Sequence, residues 1–240
     1  MDIQTFLTAV RQNAARIRDY QLGCDGSGGV CDCIGLIIGA LRLTGAAWNG
    51  THGSNYAARY AMQSLDKIKD KQALIPGQLV FKCREKGEQK YALPSRYHAH
   101  EDDRDYYHVG VVMETQPLCI FHCSGGGKHQ DTRVGEWQYA GFLQGIEPVF
   151  CTVHSENGGS VNMREKPDLS ARRVGTVQPG EQVLWLQAAG DAWAQVHTEE
   201  GTGYMMRKFL QKEGGSVHLT LDEACARTLY QALAQALKFS

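Results

Sequence analysis

The stretch Gly23-Cys-Asp-Gly-Ser-Gly-Gly-Val-Cys-Asp-Cys33, followed at once by Ile34-Gly-Leu-Ile-Ile-Gly-Ala-Leu-Arg-Leu43, decides how this chain is read. A glycine-rich loop runs into a segment that is apolar on nearly every side, the pattern of a helix buried inside a domain. Cys33 then stands in the first turn of that helix. Unpaired backbone N–H groups there carry partial positive charge, which is expected to favour thiolate and to bring the thiol pKa from about 8.5 into a range of roughly 3.5 to 7.5. Gly35 and Gly39 leave one helix face bare, and a bare face admits a neighbouring backbone. Asp32, one residue ahead, suits an N-cap, a contribution of about 1 kcal/mol.

Upstream, Ile3, Phe6, Leu7, Val10, Ala14 and Ile17 fall on one face at helical spacing and predict an amphipathic helix over roughly the first 18 residues. Downstream, a surface helix or loop is expected around 55–69, and Pro76-Gly77 turns into a short strand, Leu79–Cys83. Residues 84–107 are densely charged and lack apolar periodicity. They predict a long loop, either a solvated insertion or a substrate-selecting lip, and the insertion reading outweighs a metal site built from His98, His100 and the acidic run Glu101–Asp103. Val109–Met113 and Leu118–Phe121 then read as an antiparallel hairpin. With the turn centred near Thr115, His108 and His122 fall opposite each other at its open end. One imidazole is placed to take the Cys33 proton and the other to orient it.

Composition limits the alternatives. The 240 residues carry a formal charge of −1, which provides no field for gathering nucleic acid or anionic lipid. The N-terminus lacks the pattern of a signal peptide and no apolar run reaches the roughly 18 residues of a span, so a soluble chain made in the cytoplasm is expected, without membrane insertion. The eight cysteines are too sparse for a disulfide scaffold and show no C-x-x-C pair. They are expected to be free thiols, with no structural zinc. Cys31 is a rival nucleophile to Cys33, but it lies ahead of the helix.

Tyr20-Gln-Leu-Gly, Asp32-Cys-Ile-Gly-Leu36, Pro76-Gly-Gln-Leu-Val-Phe81, His108-Val-Gly-Val-Val112 and Phe121-His122 together resemble the ordered motifs of the NlpC family of cell-wall cysteine peptidases. The likeness spans roughly residues 16–145. It implies an α+β, papain-like fold with the cysteine helix packed on an antiparallel sheet, and hydrolysis of peptidoglycan stem peptides, commonly between D-Glu and the diamino acid. By motif, Cys33 is the nucleophile, His108 the base and His122 the orienting residue, while Tyr20 and Asp32 hold the free amine of the stem peptide. Ile34 stands where the family has a serine, which removes one amine contact. No cofactor and no metal is implied.

After Phe150 the pattern changes, and 155–160 reads as a linker or a loop. Short strand-like runs at 161–210 resemble the bacterial SH3-like domain, which implies attachment to cell-wall peptide or glycan, with Trp185, Trp193 and Tyr204 as candidate groove residues. Residues 213–240 predict a strand and an amphipathic helix that packs within the chain or on a second copy. The organisation expected is a papain-like peptidase domain over 1–150, an SH3-like barrel over 151–212 and a tail over 213–240. The expected function is a peptidoglycan stem-peptide hydrolase of the phage-lysin kind, acting at the wall after release or as part of a virion. The alternatives are a cytosolic hydrolase of recycled muropeptides and a non-catalytic wall-binding protein.

Overall fold

Among the described residues two large antiparallel sheets and two long helices form most of the fold. The structure is a computed structural model and describes residues 1–69 and 74–212; the predicted C-terminal strand and helix lie outside the described residues. Helix α1 spans Ile3–Ala14, with Asp2 accepting from the Thr5 N–H as N-cap, and buries Phe6, Leu7 and Val10. It stops short of Ile17, which packs beside the core from the following loop. The paired strands β1 (Asp19–Tyr20) and β2 (Val30–Cys31) bracket the glycine-rich loop, and α2 (Cys33–Leu43) follows. The bare face of α2 has a definite neighbour. A Cβ on Gly35 would collide with the Cys24 carbonyl and one on Gly39 with the Asp25 carbonyl, so the two glycines let residues 24–25 lie directly on the helix.

In place of a surface helix, a short helix α3 (Ser54–Tyr56) runs into a π-helical turn, Ala57–Ala61. The first sheet has six strands, β3 (Asp66–Lys67), β4 (Leu79–Arg84), β5 (Asp105–Thr115), β6 (Leu118–Ser124), β7 (Gly127–Asp131) and β8 (Tyr139–Gly141), in the order β3-β8-β4-β5-β6-β7. Side chains alternate across it. Phe81, Val109, Val111 and Cys123 face α1 and α2, whereas Val80, Val112, Ile120 and Ala140 form a second, smaller core with Trp137 on the other face.

The hairpin register corrects the sequence reading. Thr115 pairs with Leu118, so Gln116-Pro117 forms the turn, and a bulge between Val112 and Glu114 shifts the ladder until Gly110, not His108, lies opposite His122. The offset is two residues, an even number, so both histidines keep the same face. Gly110 between them leaves room for a ring: a Cβ there would sit 2.9 Å from Trp137 and 3.0 Å from Ile120.

Residues 85–104 form the long, largely exposed loop expected, and a few buried contacts anchor it. Arg59 organises them, donating to the carbonyls of Asp102 at 2.8 Å and Arg104 at 2.6 Å and lying over the rings of Tyr97 and Tyr106. Asn55 donates to Asp105 at 2.9 Å and accepts from the Tyr106 N–H. One arginine thus satisfies a loop whose charges hid its buried contacts. His98 and His100 bond to backbone atoms, the Leu93 carbonyl and the Asp102 N–H, rather than to a common centre.

The second sheet begins earlier than expected. Strand β9 (Val149–Val153) pairs with β12 (Gln182–Ala189) and β15 (Leu210–Lys212), and the order β11-β10-β14-β13-β12-β9-β15 is completed by β10 (Val161–Arg164), β11 (Arg173–Val177), β13 (Trp193–Thr198) and β14 (Gly201–Met206). Residues 155–160 therefore join two strands of one sheet and are not an interdomain linker. Strand β12 serves two cores: Val183 packs inside the second sheet, and Leu184 and Leu186 pack into the core around α1.

Candidate functional site

The start of α2 carries the thiol, and Asp32 shapes it. Asp32 Oδ1 accepts from the Gly35 N–H at 2.7 Å, Oδ2 accepts from the Gly23 N–H at 2.8 Å, and His52 Nε2 lies 2.9 and 2.8 Å from the two oxygens. The side chain is 2 % exposed. The cap expected from sequence is present, and the carboxylate also takes up the Gly23 N–H and His52. His52 was not legible beforehand, because nothing in its local pattern links it to a residue twenty positions earlier.

Cys33 is buried at 8 % exposure. The backbone N–H groups of Val109 and Ile34 pull its thiol toward thiolate, while the neighbouring Ser54 hydroxyl donates to the Tyr106 carbonyl at 2.7 Å. Burial outweighs them. Desolvation and then the neighbouring Asp32 charge push the thiol up to about 12, against the lowering expected at a helix terminus. Tyr20 lies alongside, and its phenol is likewise raised to about 12 by burial and by Cys33 and Asp32. Cys31 is fully buried. It shares a hydrogen bond with Cys123, whose sulfur also donates to the Cys31 carbonyl at 3.1 Å, and that bond together with burial raises the Cys31 thiol.

The imidazoles come together as the hairpin implies. His108 Nε2 and His122 Nδ1 are 3.0 Å apart, and His122 Nε2 lies 3.4 Å from Asp131 Oδ1. Trp137 seats the pair: it stacks on His108 with centroids 5.5 Å apart, meets His122 edge-on, and donates from Nε1 to Asp131 Oδ2 at 2.9 Å. His129 stacks on the far face of the cluster against His122. Burial, then the His122 and Lys82 charges, lower His108 to about 3, and burial also lowers His122 against the opposing pull of Asp131. Both imidazoles are therefore neutral at pH 7. Asp131 and Trp137 extend the predicted pair to four members, and only strand pairing, invisible in sequence, brings them in.

Thiol and imidazole approach opposite sides of one peptide unit, and no contact links Cys33 to either imidazole among the described residues. Val109 turns its side chain toward α2 and offers its N–H to the Cys33 sulfur, while His108, the residue before it, turns its ring toward Trp137. His122 Nε2 is buried and has no hydrogen-bond partner among the described residues, Asp131 Oδ1 at 3.4 Å being a charge neighbour only. Of the first-turn N–H groups of α2, that of Gly35 is taken by Asp32 Oδ1 and that of Leu36 by the Asp32 carbonyl. Those of Cys33 and Ile34 are the ones left toward the sulfur side. No group of metal-ligating side chains is assembled among the described residues.

In the second sheet the three aromatic candidates separate. Trp193 and Tyr204 project from one face, since Trp193 pairs with Met206 and Tyr204 with Gln195. Trp185 packs against the core of the sheet, with Lys212 and Arg207 over its ring. Trp193, Phe209, Arg164 and Lys208 border a cavity of about 410 Å³ to which Trp185 and Tyr204 do not contribute.

Residues 159–211 match the family model described as bacterial SH3 domain. Among curated proteins no sequence matches the chain. Solved structures similar to it include NlpC2 from Trichomonas vaginalis, at 14 % identity and TM-score 0.26, covering 65 % of this chain and 51 % of that one. NlpC1 from the same organism is 13 % identical at TM-score 0.25, covering 67 % and 55 %. Ly7917 is 14 % identical at TM-score 0.34, covering 88 % and 98 %. The chain spans about half the length of the two NlpC structures, and a likeness this shallow says nothing about chemistry.

Proposed function

We propose that the protein is a cell-wall-associated cysteine hydrolase that cleaves amide bonds in peptidoglycan stem peptides, between D-Glu and the diamino acid, and that the bacterial SH3 domain attaches it to the wall. One observation carries the reading: Cys33 opens its helix beside Val109, the residue next to His108, whose Nε2 lies 3.0 Å from His122 Nδ1. In this reading the resting pair is neutral. On substrate binding the His108 ring turns from Trp137 toward the sulfur and takes the Cys33 proton as sulfur attacks the scissile carbonyl, and the N–H groups at the start of the helix receive the oxyanion. His108 then protonates the leaving amine, and water, giving its proton to His108, hydrolyses the thioester. His122, with the Asp131 charge beside it, orients the imidazole. The D-Glu bond rests on the motif likeness of the sequence. Tyr20 and Asp32, both beside the sulfur, are the amine contacts in the same reading.

The phage-lysin setting, with action at the wall after release, is part of the same proposal. A second reading, a wall-binding protein without catalysis, is favoured by the raised thiol. Mass spectrometry of fragments released from defined muropeptides separates the two. Cleavage by the wild type and none by Cys33→Ala supports the hydrolase; intact muropeptides with both support the binding protein.

A further inference from the structure

Cys33 and the imidazoles do not use the aromatic surface that flanks His52, from Trp48 before it to Tyr60 after it. Trp48, Tyr56 and Tyr60 form a row of rings with centroid steps of 5.9 and 5.2 Å, extended edge-on by His100 at 5.6 Å from Tyr60. Tyr60 is 47 % exposed, among the few large apolar side chains left so open. The row borders a cavity of about 400 Å³ completed by Asn49 and Gln144. Its lining holds no Asp, Glu, Lys or Arg, and its one charge, the Met1 ammonium, is bonded to the Gly145 carbonyl. The cavity beside Trp193 differs, with Arg164, Lys208 and Glu156 around it.

We propose that the Trp48–Tyr56–Tyr60 row is a binding site for a neutral pyranose oligosaccharide. Ring faces cover the C–H faces of a sugar, and side-chain amides and exposed carbonyls answer its hydroxyls and acetamido groups. A carboxylate-bearing peptide would meet no side-chain cation here, so the uncharged lining selects glycan over peptide. The location adds a role, which rests on the hydrolase reading. Residues 48–60 also carry His52, bonded to Asp32, and Ser54, a neighbour of Cys33. The segment that would hold a sugar is thus the one that braces the Asp32 cap, which makes the row a specificity determinant for glycan-attached substrate.

The test is calorimetric titration of the full chain with chitotetraose, a β-1,4 oligomer of N-acetylglucosamine that contains no peptide to cleave. Wild type is expected to bind, and Tyr60→Ala and Trp48→Ala each to weaken binding about tenfold through the loss of a stacking face. Trp193→Ala, in the other cavity, is expected to bind as wild type does. Absence of binding to wild type, equal binding by Tyr60→Ala, or loss of binding in Trp193→Ala overturns the proposal. Tyr60 is exposed, so its variant tests the site without a folding defect. Hydrolysis of a glycan-free stem peptide, expected to be equal for wild type and Tyr60→Ala, is read separately. Its failure in the wild type sinks the hydrolase reading while the titration still decides the sugar site.

Discussion

The mouth of α2 and the mouth of the β5–β6 hairpin bury their ionisable groups to similar effect but with opposite sign. Desolvation raises the Cys33 thiol to about 12 and lowers the His108 imidazole to about 3. The same physical cause, removal from water, penalises whichever form is charged. Both groups therefore rest uncharged, and a helix terminus with two favourable N–H neighbours does not reverse this for sulfur. The comparison teaches that position at a helix start predicts a thiolate only when the site stays wet. Here, proton transfer has to accompany substrate binding.

The comparison can be broken most visibly at the nucleophile. Cys33→Ala should lower stem-peptide hydrolysis more than about 1,000-fold, while Cys31→Ala, engaged with Cys123 beneath the site, should stay within about threefold, both read by fragment release. Comparable losses in the two variants would move the chemistry to Cys31. Next comes the scaffold under the thiol. Asp32→Ala removes the cap, the Gly23 bond and the His52 partner together, and thermal or denaturant unfolding should show a loss of about 2 to 4 kcal/mol. A loss near zero would mean that water replaces all three.

On the imidazole side, Gly110→Ala places a methyl group against Trp137 and Ile120 and should cost about 1 to 3 kcal/mol by the same measurement. It should also change the fluorescence of Trp137, since the ring has to shift. The smallest effect is acid stability. His108 and His197 are held at about 3 and about 4, below the ordinary 6.5, in both cases chiefly by burial. The unfolded chain then binds more protons below pH 6.5, so stability is full above that value and is lost as pH falls toward the folded-state values. Between pH 7 and 5 the melting temperature should drop by the equivalent of on the order of 1 kcal/mol for each histidine. A melting temperature that stays level would show the imidazoles to be solvated.

Local patterns were readable in the sequence. The cap–helix junction at Asp32-Cys33, the two glycines that seat a backbone and the shared face of His108 and His122 all follow from spacing within one or two elements. The hairpin centre was misjudged because a bulge at Met113 cannot be seen in an apolar run, and the face survived only because the error was even. The anchoring of residues 85–104 went unread because their counterpart, Arg59, lies far back in the chain. His52, Trp137 and Asp131 were missed for the same reason: each enters through pairing or packing across the fold. The barrel strands were legible from their turns, yet the expected boundary at 150/151 cuts through β9, since a strand carries no mark of the sheet it joins.

The neutral resting pair is tested most directly by the rate at which iodoacetamide modifies Cys33 between pH 6 and pH 10, followed by peptide mass spectrometry in wild type and His108→Ala. The account predicts slow modification that rises only toward the alkaline end and is the same in both proteins. A fast plateau already present at pH 6 that collapses in His108→Ala would reveal a resting thiolate–imidazolium pair and contradict it.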